Sequence, residues 1–326
     1  MKKVLILFGG KSSEHYISCK SASSVIKNID TKLFSYEVCG ISLDSEWYKF
    51  NDDLSFLDNG NWLESNVLKI DNIISYIKSF DVVFPLTHGN YGEDGKLQGM
   101  LDLFDIKYVG TKSSSSVVGF DKSLSKLLFS DLNIPVCDYI VCDSNYDISN
   151  IINKITFPMI VKPCCGGSSI GISVANNKKE LVKAIKLSLK YDSKIMIEKF
   201  IKARELECAV VGYKYLICSY PGEIKSSNFF YDYDAKYVQK SKTFIPDDLK
   251  DDVINRIKNY AQDIYIRMNV KDYARIDFFY DEDNDIIYAN EINTIPGFTE
   301  ISMFPKLMEH ENISYKELIS ILINNA

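Results

Sequence analysis

The segment RIDFFYDEDNDIIYANEINTIPGFT, residues 275–299, reads as two strands, 275–280 and 286–293, joined by the charged, turn-rich residues 281–285. Side chains alternate faces along a strand, so odd and even positions separate. Even positions carry Ile276, Phe278, Tyr280, Ile286, Tyr288 and Ile292, an apolar face that requires a core. Odd positions carry Arg275, Asp277, Glu291 and Asn293. A five-residue turn that sets Tyr280 opposite Ile286 places Asp277 across from Ala289 and Arg275 across from Glu291. Two carboxylates, an amide oxygen and a guanidinium then share one patch at the open end of a hairpin. Magnesium takes hard oxygen ligands and is usually held by one or two carboxylates plus substrate phosphates. An arginine among those carboxylates remains able to meet a developing oxyanion. The competing reading is a salt-bridged surface hairpin, because exposed charge pairs are common. The turn Pro296-Gly297-Phe298-Thr299 weighs against it by exposing backbone N–H groups beside the acidic cluster.

With 326 residues and 46% hydrophobic content, the chain can bury large cores and divides into two or three domains. Its formal charge of -6 comes from interspersed Lys and Asp/Glu. There is no basic block for nucleic acid and no basic amphipathic helix for a membrane surface. The opening MKKVLILF has the charge of a secretory signal, but Gly9-Gly10 break its apolar run. The run falls short of the ~7–15 residues of a signal core, and nothing approaches the ~18 apolar residues of a membrane span. A soluble, cytoplasmic protein is expected. The eight cysteines show no paired metal spacing, and adjacent Cys164-Cys165 would make a poor disulfide. They read as reduced, packed thiols.

Residues 4–8 are an apolar run, followed by Gly9-Gly10-Lys11-Ser12-Ser13-Glu14-His15 and a helical pattern through Ile26. Residues 38–41 and 82–86 read as further strands, with 72–78 as an intervening helix. Such alternation predicts a parallel sheet with ligands at the carboxyl ends of its strands, where Glu14 and His88 fall. Glu14 is either a functional carboxylate or a first-turn acid favoured by the helix dipole. His88 is either functional or a loop hydrogen bonder. The loop 88–95 leads into a helix over 96–104, and Tyr108-Val109-Gly110 close the first domain. Serines 113–116 read as entry residues to a helix over 117–129. On that helix Lys122 and Lys126 share a face; one can reach a phosphate, and Lys126 is assigned to a solvated face.

The glycine–serine loop after Lys162 lies between strands 159–162 and 172–174, so it is neither a P-loop nor a dinucleotide fingerprint. Glycines and hydroxyls in a hairpin can still lay backbone N–H groups across a polyphosphate. Residues 181–189 form an ordinary amphipathic helix. Strand 194–199 ends in Glu198-Lys199-Phe200-Ile201, a connector whose backbone can pair with an adenine edge, and Glu205 and Glu207 lie in the next strand, 205–211. Residues 226–244 form a long, aperiodic segment, which is usually disordered or functional. Phe229, Phe230, Tyr231, Tyr233, Tyr237 and Phe244 argue for a lid. Residues 247–268 and 315–323 are helical and cover the sheet.

Seven stretches in unbroken order carry a family resemblance: GGKSSEHYIS (9–18), THGNYGEDGKLQG (87–99), VKPCCGGSSIGIS (161–173), IEKFI (197–201), FYDYDAKY (230–237), RIDFFY (275–280) and NEINTIPGFTEIS (290–302). Together they resemble the D-alanine–D-alanine ligases, which are ATP-grasp enzymes. The resemblance implies an α/β chain with a Rossmann-like parallel N-terminal domain (1–110) ahead of an ATP-grasp fold. The latter comprises a central subdomain with the phosphate loop (111–197) and a C-terminal subdomain with metal site and lid (198–326). It implies that ATP phosphorylates one D-alanine and that the amine of a second attacks the acyl phosphate, giving a dipeptide for peptidoglycan, cell-wall biogenesis and cell shape. Asp277, Glu291 and Asn293 would hold two magnesium ions, with manganese as an alternative. Lys122, Lys162 and the Ser168-Ser169 loop would contact phosphates; Glu198, Lys199 and Ile201 the adenine; Glu205 the ribose. Glu14 would bind the first ammonium, with Ser168 and Tyr237 orienting it. Arg275 and the Gly297 N–H would meet the oxyanion, and Ser302 the second carboxylate. Lys236 and the lid would close the site, which excludes water from the acyl phosphate. His88 and Met303 join the substrate set, and the partner is a second copy of the chain in a homodimer.

The chain carries no nucleophilic Ser/His/Asp or Cys/His constellation, as expected for catalysis by positioning and electrostatics. Lactate-forming relatives replace the lid tyrosine by histidine, so Tyr237 speaks against D-lactate. Resistance-type ligases carry Arg after the serine matching Ser302, where this chain has Met303, suited to a methyl-bearing substrate. SEWY (45–48) and KSKTFIP (240–246) resemble the serine-forming branch instead. D-Alanine is the expected second substrate. The alternatives are a D-alanine–D-serine ligase of the vancomycin-resistance type and a catalytically silent nucleotide-binding protein on the same fold.

Overall fold

In the computed structural model, which describes residues 1–225 and 242–326, the apolar run after Lys3 becomes the centre of a sheet. Val4 through Phe8 are fully buried in strand β1 (Lys2–Gly9), as expected of a strand covered on both faces. Strands β2 (Phe34–Ile41), β3 (Trp47–Phe50), β4 (Leu68–Lys69) and β5 (Val82–Pro85) complete the order β4-β3-β2-β1-β5. β1 runs parallel to β2 and β5, whereas β3 and β4 are antiparallel. The wholly parallel sheet expected here therefore has an antiparallel edge. A tight turn makes it: Ser45 takes a left-handed φ of 65° and Ser42 N–H donates to the Glu46 carbonyl at 2.8 Å, so the chain reverses at once instead of crossing over.

A second sheet, entirely antiparallel, has the order β6-β9-β7-β8. Its strands are β6 (Tyr139–Cys142), β7 (Met159–Pro163), β8 (Ser173–Ala175) and β9 (Ile195–Lys199), backed by the helix Lys178–Ser188. The loop between β7 and β8 is the predicted glycine–serine hairpin. The third sheet contains β10 (Arg204–Val211), β11 (Ile217–Cys218), β12 (Gly222–Lys225), β13 (Lys242–Phe244), β14 (Tyr273–Asp281) and β15 (Ile286–Asn293). Its order is β13-β12-β10-β14-β15, with β11 pairing β10. Of the expected lid, residues 226–241 lie outside the described residues; 242–244 belong to the sheet edge.

The third sheet has two unlike faces. Leu206, Cys208, Val210, Ile276 and Phe278 pack against the helix Asp251–Arg267. On the opposite face, Ala209, Val211 and Tyr273 join a core that includes Val4, Ile6 and Phe8 of β1 and the helices Met303–His310 and Tyr315–Asn325. Farther along that face the same rows continue as Glu207, Glu205, Arg275 and Asp277, so the apolar contact stops where the charged residues begin.

The hairpin register differs from the expected one. The turn is shorter: Asp281 pairs Ile286, Tyr280 pairs Ile287 and Phe278 pairs Ala289, after which a β-bulge at Asn290 lets Asp277 pair Glu291 and Arg275 pair Asn293. Ile286 and Tyr288 are therefore only partly buried, and Ile287, Ala289 and, beyond the bulge, Ile292 fill the core. One extra residue switches the side-chain parity of a strand. Without it Glu291 would share the core face of Ile276; with it, Glu291 and Asn293 join Arg275 and Asp277.

The expected helix 117–129 is two helices, Ser113–Phe120 and Lys122–Asp131, and serines 113–116 lie inside the first. Asp121, extended at φ -88° and ψ 103°, separates them and caps the second by accepting from Ser123 N–H and Leu124 N–H. The break lets Lys122 N–H donate to the Cys164 carbonyl at 2.9 Å, seating the helix start under the glycine–serine loop.

Candidate active site

Two abutting cavities, of about 330 and 460 Å³, receive every predicted site residue that is described. The first is bordered by Lys122, Lys162, Ser168, Ser169, Glu198, Lys199, Ile201, Glu205 and the hairpin residues Asp277 and Glu291. The second is bordered by His88, Gly297, Ser302 and Met303. Glu14, Arg275 and Asn293 border both. Tyr237 and Lys236 lie outside the described residues.

At the shared wall Arg275 forks onto Asp277, with Nε and a terminal nitrogen each 2.7 Å from a carboxylate oxygen. Glu207, directly opposite Asp277 in the sheet, stands 3.1 Å from Arg275 Nε. Asn293 Nδ2 donates to Asp277 at 2.9 Å, and Lys122 Nζ lies 3.4 Å from Glu291. Burial disfavours the guanidinium cation, yet Asp277 and Glu207 outweigh it and hold the Arg275 pKa well above its ordinary value. The arginine is therefore a permanent charge. Among the described residues no three His, Cys, Asp or Glu side chains are grouped to hold an ion alone. Two carboxylates and an amide oxygen fit magnesium as the protein half of a ligand set that phosphate oxygens would complete.

The floor of the first cavity carries a buried triad. Glu198 lies 2.9 Å from Lys126 Nζ and 2.8 Å from Lys162 Nζ. Lys126 is fully buried, so its assignment to a solvated face is overturned: the helix break at Asp121 turns this face inward and Glu198 supplies the counter-charge. Burial raises the Glu198 pKa, but the two ammonium groups prevail and bring it down to about 2. Lys162 Nζ also donates to the bulge residue Asn290 at 3.3 Å, so the bulge aligns a phosphate-side lysine as well as the acids.

Glu14 precedes the helix His15–Asn28 without capping it by a side-chain hydrogen bond. Its carboxylate instead accepts from Ser168 Oγ at 2.5 Å. A Cβ on Gly89 or Gly167 would come within 2.5 or 2.3 Å of Glu14 Oε2, so only glycine at both places leaves room for this carboxylate. Ser168 and Ser169 are both left-handed, at φ 53° and 57°. The adjoining Cys164 is buried, and burial pushes the thiols of Cys164 and Cys165 up to about 12 and 11. All eight cysteines are free.

In the second cavity Ser302 precedes the helix Met303–His310 and accepts from Thr299 N–H at 3.1 Å. Met303 is buried against Gly222, where a Cβ would meet its sulfur at 2.5 Å, and presents an apolar wall. His88 is pinned between Ser21 Oγ and the Ile295 carbonyl, 2.9 Å each. Glu93, which the sequence reading passed over, accepts from Gly89 N–H at 2.8 Å and Ile295 N–H at 3.1 Å. Burial, with the Glu14 carboxylate adding to it, pushes the Glu93 carboxyl up to about 8. Glu207 and Lys126 were also missed as site residues. Glu207 had a visible signal, the Glu205–Glu207 alternation on one strand face; Lys126 had only its spacing from Lys122.

The family models described as "D-ala D-ala ligase N-terminus" and "D-ala D-ala ligase C-terminus" match residues 3–111 and 128–324. A "D-alanine--D-alanine ligase" of Acetivibrio thermocellus is 40% identical over 359 residues, spanning 100% of this chain and 96% of that protein. One of Clostridium acetobutylicum is 41% identical, spanning 100% and 98%. Among solved structures, the VanG D-Ala:D-Ser ligase from Enterococcus faecalis superposes with a TM-score of 0.90 at 33% identity, covering 99% of this chain and 98% of that one. The D-alanine-D-alanine ligase from Coxiella burnetii gives 0.86 at 30% identity, covering 100% and 95%.

Proposed function

Since the chain belongs to the D-alanine–D-alanine ligase family, we propose that its two cavities divide one ATP-driven ligation between them, nucleotide in the first and the second amino acid in the other. The protein is an ATP-dependent ligase that joins two D-alanines through an acyl phosphate, and its architecture is the ATP-grasp fold preceded by a Rossmann-like domain. The observation that carries the division is the wall shared by the cavities, where Glu14, Arg275 and Asn293 border both, with Asp277 and Glu291 beside them on the first.

In this reading Lys122, Lys162 and the Ser168-Ser169 backbone hold phosphates, Glu198, Lys199 and Ile201 line the adenine, and Glu205 meets the ribose. Asp277, Glu291 and Asn293 are the residues that would hold magnesium, which when bound neutralises phosphate charge during transfer. Glu14 receives the first ammonium. Arg275 and the Gly297 N–H face the tetrahedral oxyanion, where fixed donors act most strongly. Ser302 and the helix start behind it receive the second carboxylate. Tyr237 and Lys236 are assigned to orienting and covering the substrates. A cytoplasmic homodimer serving peptidoglycan synthesis accords with the family, and no helix among the described residues is long and apolar enough to cross a membrane.

A D-serine acceptor is the second reading, favoured by the likeness to the D-Ala:D-Ser ligase structure; the Met303 wall favours a methyl group instead. Mass analysis of products with D-alanine and D-serine competing at equal concentration separates them, and D-alanyl-D-alanine should dominate. Magnesium-dependent phosphate release should require added D-alanine; release without it would remove the ligase assignment.

A further inference from the structure

The loop that carries Gly297 and Ser302 leaves β15 through Thr294, Ile295 and Pro296. Ile295 is buried, so both its backbone polar groups require partners. They find them on a single loop of the N-terminal region, about two hundred residues away in sequence: the Ile295 N–H donates to Glu93 and the Ile295 carbonyl accepts from His88. We propose that His88 and Glu93 are positioning residues that clamp the Ile295 peptide and so set the Gly297 N–H against the reacting carbonyl.

Three features make the clamp directional. Facing a carbonyl, His88 Nδ1 must carry the proton, and Nε2 shares a hydrogen bond with the Ser21 hydroxyl, so Ser21 orients the ring. Glu93 closes its own loop by accepting from Gly89 N–H, and Gly89 is left-handed at φ 70°. That is the glycine that also makes room for Glu14. Pro296 restricts Ile295 to extended backbone, so a displacement of the Ile295 peptide passes to Gly297 instead of being absorbed by torsion. The far end of the loop is held too, because Tyr315 donates to the Phe298 carbonyl and Thr299 N–H to Ser302. Gly297 sits between two fixed points, and the clamp is the one built from the substrate-facing loop of the other domain.

This inference rests on the reading that Gly297 and Ser302 face the oxyanion and the second amino acid. Its test is steady-state kinetics of His88→Ala, His88→Asn, Glu93→Ala and Ser21→Ala, together with inhibition by a phosphinate dipeptide analogue of the tetrahedral adduct. A misplacement of about 1 Å at a reacting centre costs about 100-fold. His88→Ala and Glu93→Ala should therefore lower kcat by about 10- to 100-fold and weaken the phosphinate in proportion, with KM for ATP changed less than about 2-fold. Asparagine offers an NH2 donor group and a carbonyl acceptor, so His88→Asn should recover part of the loss. Ser21→Ala, which leaves both clamp residues in place, should cost only a few-fold and serves if His88→Ala does not fold. Unchanged kcat and phosphinate affinity in Glu93→Ala and either Ser21→Ala or His88→Ala would overturn the clamp. So would a rise in KM for ATP as large as the fall in kcat. Retained turnover in Glu291→Gln would instead overturn the reading of the site itself, so the two failures are distinguishable.

Discussion

The buried charges at the floor of the nucleotide cavity and those at its hairpin wall are arranged in opposite senses. At the floor one acid, Glu198, stands between two bases, Lys126 and Lys162. At the wall one base, Arg275, stands among Asp277 and Glu207, with Glu291 close by on Lys122. Isolated buried charge is costly, so each cluster is partly self-compensated. The sign left over differs. Counted among the described residues, bases outnumber acids at the floor, which suits polyphosphate, and acids outnumber bases at the wall, which suits a divalent cation and a substrate ammonium. Two buried clusters of acids and bases thereby divide a substrate by its charge.

The largest expected effect breaks the wall. Glu291→Gln keeps the shape and removes one charge, and turnover should fall by about 100- to 1,000-fold, the scale seen when one preorganised electrostatic group is lost. Circular dichroism and urea unfolding should stay near wild type, and retained turnover would refute the metal assignment. Next, Lys126→Met breaks the floor. Removing one partner of a buried pair typically costs about 3–5 kcal/mol, and Glu198 retains Lys162, so about 3 kcal/mol is expected in chemical denaturation. Loss below about 1 kcal/mol would mean that Lys126 is a bystander.

A smaller effect, in pH, sharpens the contrast. The folded Glu198 pKa lies below its ordinary 4.5, at about 2. Its contribution is therefore present above about 4.5 and lost as pH falls toward 2, on the order of 3 kcal/mol in all. Glu93 has the opposite sign: its folded pKa is raised to about 8, so stability is lost as pH rises from about 4.5 through 8. Urea midpoints across pH should show both slopes. Lys126→Met should shrink the acid slope alone, and an unchanged acid slope in that variant would separate Glu198 from the triad.

The motifs, the glycine–serine hairpin and the charged face of 275–299 were legible because each is a local pattern of alternation, turn residues or spacing. Register was less so. The reading of 275–299 reached the right face for Glu291 through the wrong pairing, since a five-residue turn and a four-residue turn with a bulge give the same parity at Asp277. Asn290 carries no mark of a bulge; its role appears only when Lys162 arrives from another sheet. Lys126 misled for a similar reason, because a lysine four residues from another looks solvated until Glu198 is known to lie against it. His88 and Glu93 stood in a quoted motif, yet nothing in that motif indicates that Ile295 is their common partner.

By itself the amino-acid order determined the family, the strand and helix inventory in outline, and the cast of charged residues, because propensity, periodicity and motif spacing act over a few neighbours. Only the folded chain decided which face Glu291 takes, where the helix breaks at Asp121, and which charges are buried together. Those outcomes depend on burial and hydrogen bonding between segments far apart in the chain, where the cost of an unpartnered polar group outweighs any local preference.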